Sequence, residues 1–385
     1  MKKLFIFTVA LLASLMVGAT NSLADGDVIE LTIMAADPII FRGETLQWNT
    51  EFKRKSCGNS PKTMVEISGM ACSRVTPGYL WAQSDDNYRV IAMTEKGDIQ
   101  YDITFKDKPS RGDWEDMCIG NYLGKSTIFV GGFGDNNAKH MTDNYIFYME
   151  EPEIPQQYAK TTYSVNNNYI KFQYPDLTRT YDAEAMFYDN IDQKLFIVNK
   201  VEWTAATVFS LDMSTTYSTE LQTLKEECRL GLPDEWQFQR VTAADMSPDG
   251  HWIIIKNYDC TEKFPSDFSD ESLRGKSKGE FAYALIWERK DGESVVEALS
   301  RQPEQIKAYL MEWQGEAVAW LDSTTFYTTS DDDGSAPVYK YTRWDLSDLN
   351  TLQAISDSKT VKVLVGDHLF IRTKEQEYSF TGQGL

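Results

Sequence analysis

Histidine is nearly missing from this sequence: 385 residues hold three, at His140, His251 and His368. No CxxC pair accompanies them, which excludes a zinc site of the usual Cys/His type. The same poverty leaves no histidine in a recognisable triad context, and no GxSxG nucleophile elbow occurs. Basic charge is scarce as well. Lys and Arg total 38 against 58 Asp and Glu, a formal charge of −20. Such a surface repels nucleic acid and anionic lipid, so neither is expected as a partner. The glycine-rich GGFGDNN (Gly131 to Asn137) is no phosphate cradle, because no GK[ST] follows and its surroundings are acidic. After the first residues no run approaches the ~20 apolar residues of a spanning helix.

Those first residues carry an address. Lys2 and Lys3 precede an apolar run, Leu4 to Val17, and Ser22-Leu23-Ala24 supplies a small-x-small cleavage pattern. This predicts a signal peptide over 1–24 and a mature chain that is exported: periplasmic, on the cell surface or secreted. Aromatic content of 13% and hydrophobic content of 42% are enough for a sizeable core.

The remaining pattern is that of strands. STIFVGGF, KLFIVNK, HWIIIKN and TTFYTTS are short, β-branched and aromatic, and bounded by Gly, Asp and Asn. The nearest approach to a helix is PEQIKAYLMEW from Pro303. Five segments then share one plan of strand, turn and second strand: EISGMACSR with YLWAQSDD, DWEDMCIG with TIFVGGFGDNN, DAEAMFYDNIDQ with KLFIVNK, TAADMSPDG with HWIIIKNYD, and GEAVAWLDS with TTFYTTSDDD. Met70, Met117, Met186, Met246 and Val318 fall at one position of this repeat. Ser68, Glu115, Glu184, Ala244 and Glu316 lie two residues earlier.

A spacing of roughly 50 to 70 residues is the size of a four-stranded propeller blade. The expectation is an all-β chain folded as a single β-propeller of five blades, with six as the alternative. Residues 25–60 would hold a ring-closing strand, for which Asp27 to Met34 alternates well; the propeller would span 61–358, and 359–385 would form a C-terminal β segment.

In a propeller the first strand of each blade lines the channel, so Glu115, Glu184 and Glu316 should converge at one mouth, with Glu66, Asp116 and Asp245 close by. Asn136, in the Asx-rich turn after the glycines, adds an oxygen. Converging carboxylates repel unless compensated, and three routes exist. Calcium takes six to eight oxygen ligands. A raised pKa makes one carboxyl a general acid beside an ionised base. Backbone N–H groups can also satisfy the acids without any chemistry. Lys200 stands in place to pair with Glu184. Of the five cysteines, Cys72 and Cys118 on neighbouring inner strands, and Cys228 and Cys260 in loops, are the candidate disulfide partners.

Taken together, Glu66-Ile67-Ser68-Gly69-Met70-Ala71, Leu80-Trp81, Asp113 to Asp116, Gly134 to Asn137, Asp182 to Ala185, Ile197 to Lys200 and Gly315 to Ala317 resemble the motifs of a family of exported bacterial β-propeller proteins. The resemblance implies a propeller and export, and no established reaction. A looser similarity to gluconolactonase- and paraoxonase-type propellers implies a divalent cation at the channel mouth. The C-terminal stretch from Lys362 resembles Bacteroidetes type IX secretion segments at Gly366, Leu369 to Arg372, Tyr378 and Gly382-Gln383, without the usual basic residues at the end. Three functions stay open: binding of a small-molecule or protein ligand at an acidic mouth with calcium, metal-dependent lactone or ester hydrolysis through Glu115, Glu184, Glu316 and Asn136, or a structural surface protein with no metal.

Overall fold

The five repeated strand pairs each grow into one sheet. In the computed structural model these sheets are the blades of a propeller. The structure describes residues 29–30, 40–41, 44–45, 52–84, 88–109, 113–135, 144–179, 181–200, 206–217, 219–231, 240–259, 281–303, 305–308, 312, 315–330, 335–343, 360–365, 368–373 and 377–378. The signal segment, Asn136, Cys260 and the polar stretch 261–280 lie outside the described residues.

Blade 1 runs outward through Ile67–Cys72, Tyr79–Ser84, Arg89–Thr94 and Ile99–Lys106. Blade 2 has Trp114–Tyr122, Lys125–Gly132, Asn144–Glu150 and Tyr169–Gln173. Blade 3 has Asp182–Asp189, Lys194–Lys200, Thr207–Asp212 and Lys225–Arg229. Blade 4 has Arg240–Met246, Trp252–Asp259, Phe281–Glu288 and Gln305–Ala308. Blade 5 has Ala317–Asp322, Thr325–Thr329, Pro337–Arg343 and, as its outermost strand, Phe52–Asn59. The ring is therefore closed by Phe52–Asn59. The Asp27 to Met34 stretch instead supplies Ile29–Glu30, which pairs in parallel with Thr360–Val365.

Sheet edges attract unwanted pairing, and blades 2, 3 and 4 each send a segment to the edge of the blade before. The connection from third to fourth strand of blade 2 lends Ala159–Ser164, in parallel, to the edge of blade 1. The same connection of blade 3 lends Gln222–Thr223 to blade 2. In blade 4 it forms the helix Val295–Ser300, whose Leu299 carbonyl accepts from Gly231 N–H (2.7 Å) beside the end of blade 3. That helix begins at a capping box in which Ser294 and Glu297 exchange hydrogen bonds. It lies upstream of Pro303. The segment read as nearest to a helix is instead the strand Gln305–Ala308.

The core lies between blades. Trp81, Trp114, Trp287 and Trp320 are fully buried, and burial of such side chains is the main stabilising term. Cys118 packs between blades 2 and 3 beside Met186 and Tyr188. Cys72 packs toward Ala319 and Tyr327 of blade 5. Both are free thiols, as is Cys228. Cys72 sits two residues beyond its repeat Met and Cys118 one beyond, so the pleat turns them to opposite faces; this excludes the bridge between them. Arg74 fastens the ring where it closes, donating to Trp320 O (3.0 Å) and Leu321 O (2.9 Å).

Residues 1–54 and 341–385 form a second compact unit apart from 55–340. Its sheet continues from Thr360–Val365 to His368–Thr373 and Glu377–Tyr378, and Ile40–Phe41 pairs with Glu44–Thr45. Among the described residues no helix is long and apolar enough to cross a membrane.

Candidate functional site at the channel mouth

Inner strands begin at one mouth of the ring, and their starts are bulged. Against the second strands the register slips at Ser68 in blade 1, at Glu115 and Asp116 in blade 2, at Glu184 in blade 3 and at Thr242 in blade 4. An extra residue re-aims the side chains around it, so neighbouring acids take different directions.

Asp116 and Asp245, each one residue before the repeat Met, form the floor. Asp116 Oδ1 accepts from Met117 N–H (2.8 Å), and its Oδ2 accepts from Met186 N–H (2.8 Å) and Ala244 N–H (3.0 Å). One carboxylate thus joins blades 2, 3 and 4. Asp245 accepts from Met246 N–H (2.8 Å) and, across to blade 5, from Trp320 N–H (2.6 Å). The equivalent residues in the other blades are small: Gly69, Ala185 and Ala317. A Cβ on Gly69 would stand 2.5 Å from Met117 N. Asp116 is fully buried, and its two oxygens are satisfied by backbone N–H groups of three blades. Burial pushes both carboxyls up, Asp245 to about 7, against the pull of the backbone donors.

Near these, Glu115 lies within electrostatic range of Glu184 and Glu316, which occupy the equivalent positions of the repeat. Glu115 is raised first by burial and then by the charges of Glu184, Asp113 and Glu316, with Lys200 opposing. Burial lifts Glu184 to about 7 although the Lys200 ammonium donates to its Oε1, with Asp182 raising it further and Arg240 lowering it. Gly134 is needed beside them: a Cβ there would lie 1.6 Å from Glu115 Oε1. The next residue, Asp135, donates its N–H to Asp182 Oδ1 (2.8 Å). Glu66 stands just ahead of the first inner strand in left-handed backbone (φ 55), outside the group whose charges act on Glu115. Asn136 and Cys260 fall outside the described residues.

Three neighbours escape sequence reasoning. Gln83 of blade 1 is fully buried and donates its Nε2 to Glu115 O (2.6 Å). Its signal was a polar residue inside the apolar YLWAQS. Lys256, in the apolar HWIIIKN, is buried with Glu312 (2.6 Å) and donates to Ala317 O and Thr329 O, clamping blade 4 to blade 5 just below Glu316. Arg240 opens the fourth inner strand. For calcium the fit is incomplete: the oxygens of Asp116 and Asp245 are occupied by backbone donors and Glu184 by Lys200. Among the described residues no three His, Cys, Asp or Glu side chains form a metal-holding group.

The turn side of blades 3 and 4 holds a shallow cavity of about 350 Å³ lined by Ile191, His251, Lys290 and Asp291. Its Arg289 is committed to Asp189 (3.1 Å) and Asp192 (2.8 Å), an inter-blade clasp rather than a reactive group.

The fold defines a five-bladed β-propeller. Neither a protein-family model nor a curated protein matches the chain. Among solved structures it is similar to Mala s 1, the major allergen of Malassezia sympodialis, at 12% identity over 75% of this chain and 95% of that one (TM-score 0.38). It is also similar to the Swd1 β-propeller domain of Myceliophteria thermophila at 11% identity over 71% and 82% (TM-score 0.32). A glucose dehydrogenase matches at 10% identity over 75% and 98% (TM-score 0.40).

Proposed function

We propose that this chain is an exported β-propeller that binds a ligand or protein partner at its acidic channel mouth. The observation that carries this reading is that Glu184 and Glu316, from two other blades, raise Glu115 through their charges. At that mouth the second strands Lys125–Gly132 and Trp252–Asp259 finish and the third strands Asn144–Glu150 and Phe281–Glu288 begin.

Elemental analysis of the purified mature chain, then thermal melts with calcium and with EGTA, tests the cation component. A calcium-dependent shift that disappears in Glu115→Gln supports a ligand-bridging ion; its absence assigns the mouth to organic or protein ligands. The hydrolytic reading draws on Glu184, whose carboxyl at about 7 suits proton transfer near neutral pH. Turnover of lactones or aryl esters that is lost in Glu184→Gln would establish it. Inactivity across that panel would reject it.

A further inference from the structure

At the end of the ring opposite the mouth, each inner strand turns into its second strand. Six large apolar side chains are exposed among the described residues, and three of them stand on these turns in successive blades: Val75 (39%), Leu123 (50%) and Ile191 (55%). Hydrogen bonds hold the three turns side by side. Glu151 accepts from Val75 N–H (3.4 Å) in blade 1 and from Ser126 Oγ (2.5 Å) in blade 2. Asn190 Oδ1, beside Ile191 in blade 3, accepts from Asn121 N–H (2.7 Å) of blade 2. Ile191 then lies against the blade 4 turn, where a Cβ on Gly250 would stand 2.6 Å from its Cδ1.

Leu123 breaks local rules. With Gly124 it forms the turn between the paired Tyr122 and Lys125, both turn residues in left-handed backbone (φ 51 and 83). Such a turn favours Asn or Asp at its first position, and a half-exposed leucine gains no burial to offset the strain. A fixed arc of exposed apolar groups rimmed by polar ones marks a contact surface.

The rim indicates what makes the contact. Ile191 also lines the cavity of about 350 Å³, where the carboxylates of Asp192, Asp291, Glu293 and Glu297 outnumber the cations Arg289 and Lys290. Arg289 is spent on Asp189 and Asp192. Asp291 meets only His251 Nε2 (3.8 Å) among the described residues. The turns of blades 4 and 5 add Asp249 and Asp322, both exposed. These acids, on a chain of charge −20, repel a second copy and favour a cationic partner.

We infer that this face, separate from the mouth, docks a basic, apolar segment of another protein. The apolar side chains of that segment cover Val75, Leu123 and Ile191, and a Lys or Arg side chain enters the cavity beside Asp291.

Panning a random peptide library on the full chain, with a Leu123→Asn/Ile191→Ser double variant as the counter-target, tests this. Peptides that prefer the wild type carry Leu, Ile or Val beside Lys or Arg, and bind it at least about tenfold tighter than the double variant. Asp291→Asn weakens the same peptides by a smaller factor. Asparagine suits the left-handed turn, so the double variant keeps its melting temperature and the loss reads contact rather than unfolding. Selective peptides that are acidic overturn the basic partner. Peptides that bind both chains equally reflect diffuse attraction to the negative charge; these, or no selective peptide at all, overturn the surface. Concentration-dependent sedimentation that the double variant abolishes would put a second copy on this face and overturn the inference as well.

Discussion

Asp116 and Glu115 are consecutive residues on one strand, and they live in opposite conditions. The first has three backbone donors from three blades on its two oxygens; the second has none among the described residues. Floor and mouth are separated by one peptide unit at a bulge. The difference teaches that an acid deep in a ring is structural when it answers backbone N–H groups, and that its neighbour one residue away can be left to side-chain charges alone.

Removing the floor should do most damage. Asp116→Ala orphans three buried N–H groups, and at about 1–3 kcal/mol each the loss should exceed about 3 kcal/mol, read as a fall in the urea midpoint. Asp245→Ala orphans two and should cost about 2 kcal/mol by the same measure. A floor acid that proved as tolerant as a mouth acid would erase the distinction.

The pH dependence sharpens it. Glu184 is raised from 4.5 to about 7 and Asp245 from 3.8 to about 7, both chiefly by burial. A carboxyl whose folded pKa is raised holds its proton more tightly in the folded state. Stability is then greatest below the unfolded values and falls as pH rises toward about 7, on the order of 1 kcal/mol for each unit of displacement. Urea midpoints between pH 4 and 8 should decline through that window, and Glu184→Gln should flatten its part of the slope. The smallest effect belongs to Glu115→Gln, because burial and the neighbouring acids already disfavour the charged form of Glu115 and the amide is neutral. Its stability at pH 7 should stay within about 0.5 kcal/mol of wild type or rise.

The repeat made the ring legible. Five hydrophobic marks in register, at Met70, Met117, Met186, Met246 and Val318, are all buried on inner strands. What could not be read was direction. Asp116 and Glu115 look alike in DWED, and only the bulge, which depends on the partner strand, sends one down and one up. The same one-step ambiguity misplaced Cys72 against Cys118. Gln83 and Lys256 are single polar residues in apolar runs whose partners lie on other blades, so nothing local declares them. The helix was overlooked although its Ser-x-x-Glu cap is a local signal.

The strand that completes blade 5 is among the earliest made, and its partners are among the last. Ser60 N–H bonds Ala336 O (2.7 Å) just past the Phe52–Asn59 pairing. An N-terminal strand must stay unpaired until almost the whole ring has been synthesised and, if exported, delivered. Contacts of such separation close slowly. The final kinetic step of folding should therefore be the docking of one strand, and a circular permutant that begins at Ile67 and carries Phe52–Asn59 after Arg343 should fold faster than the natural order.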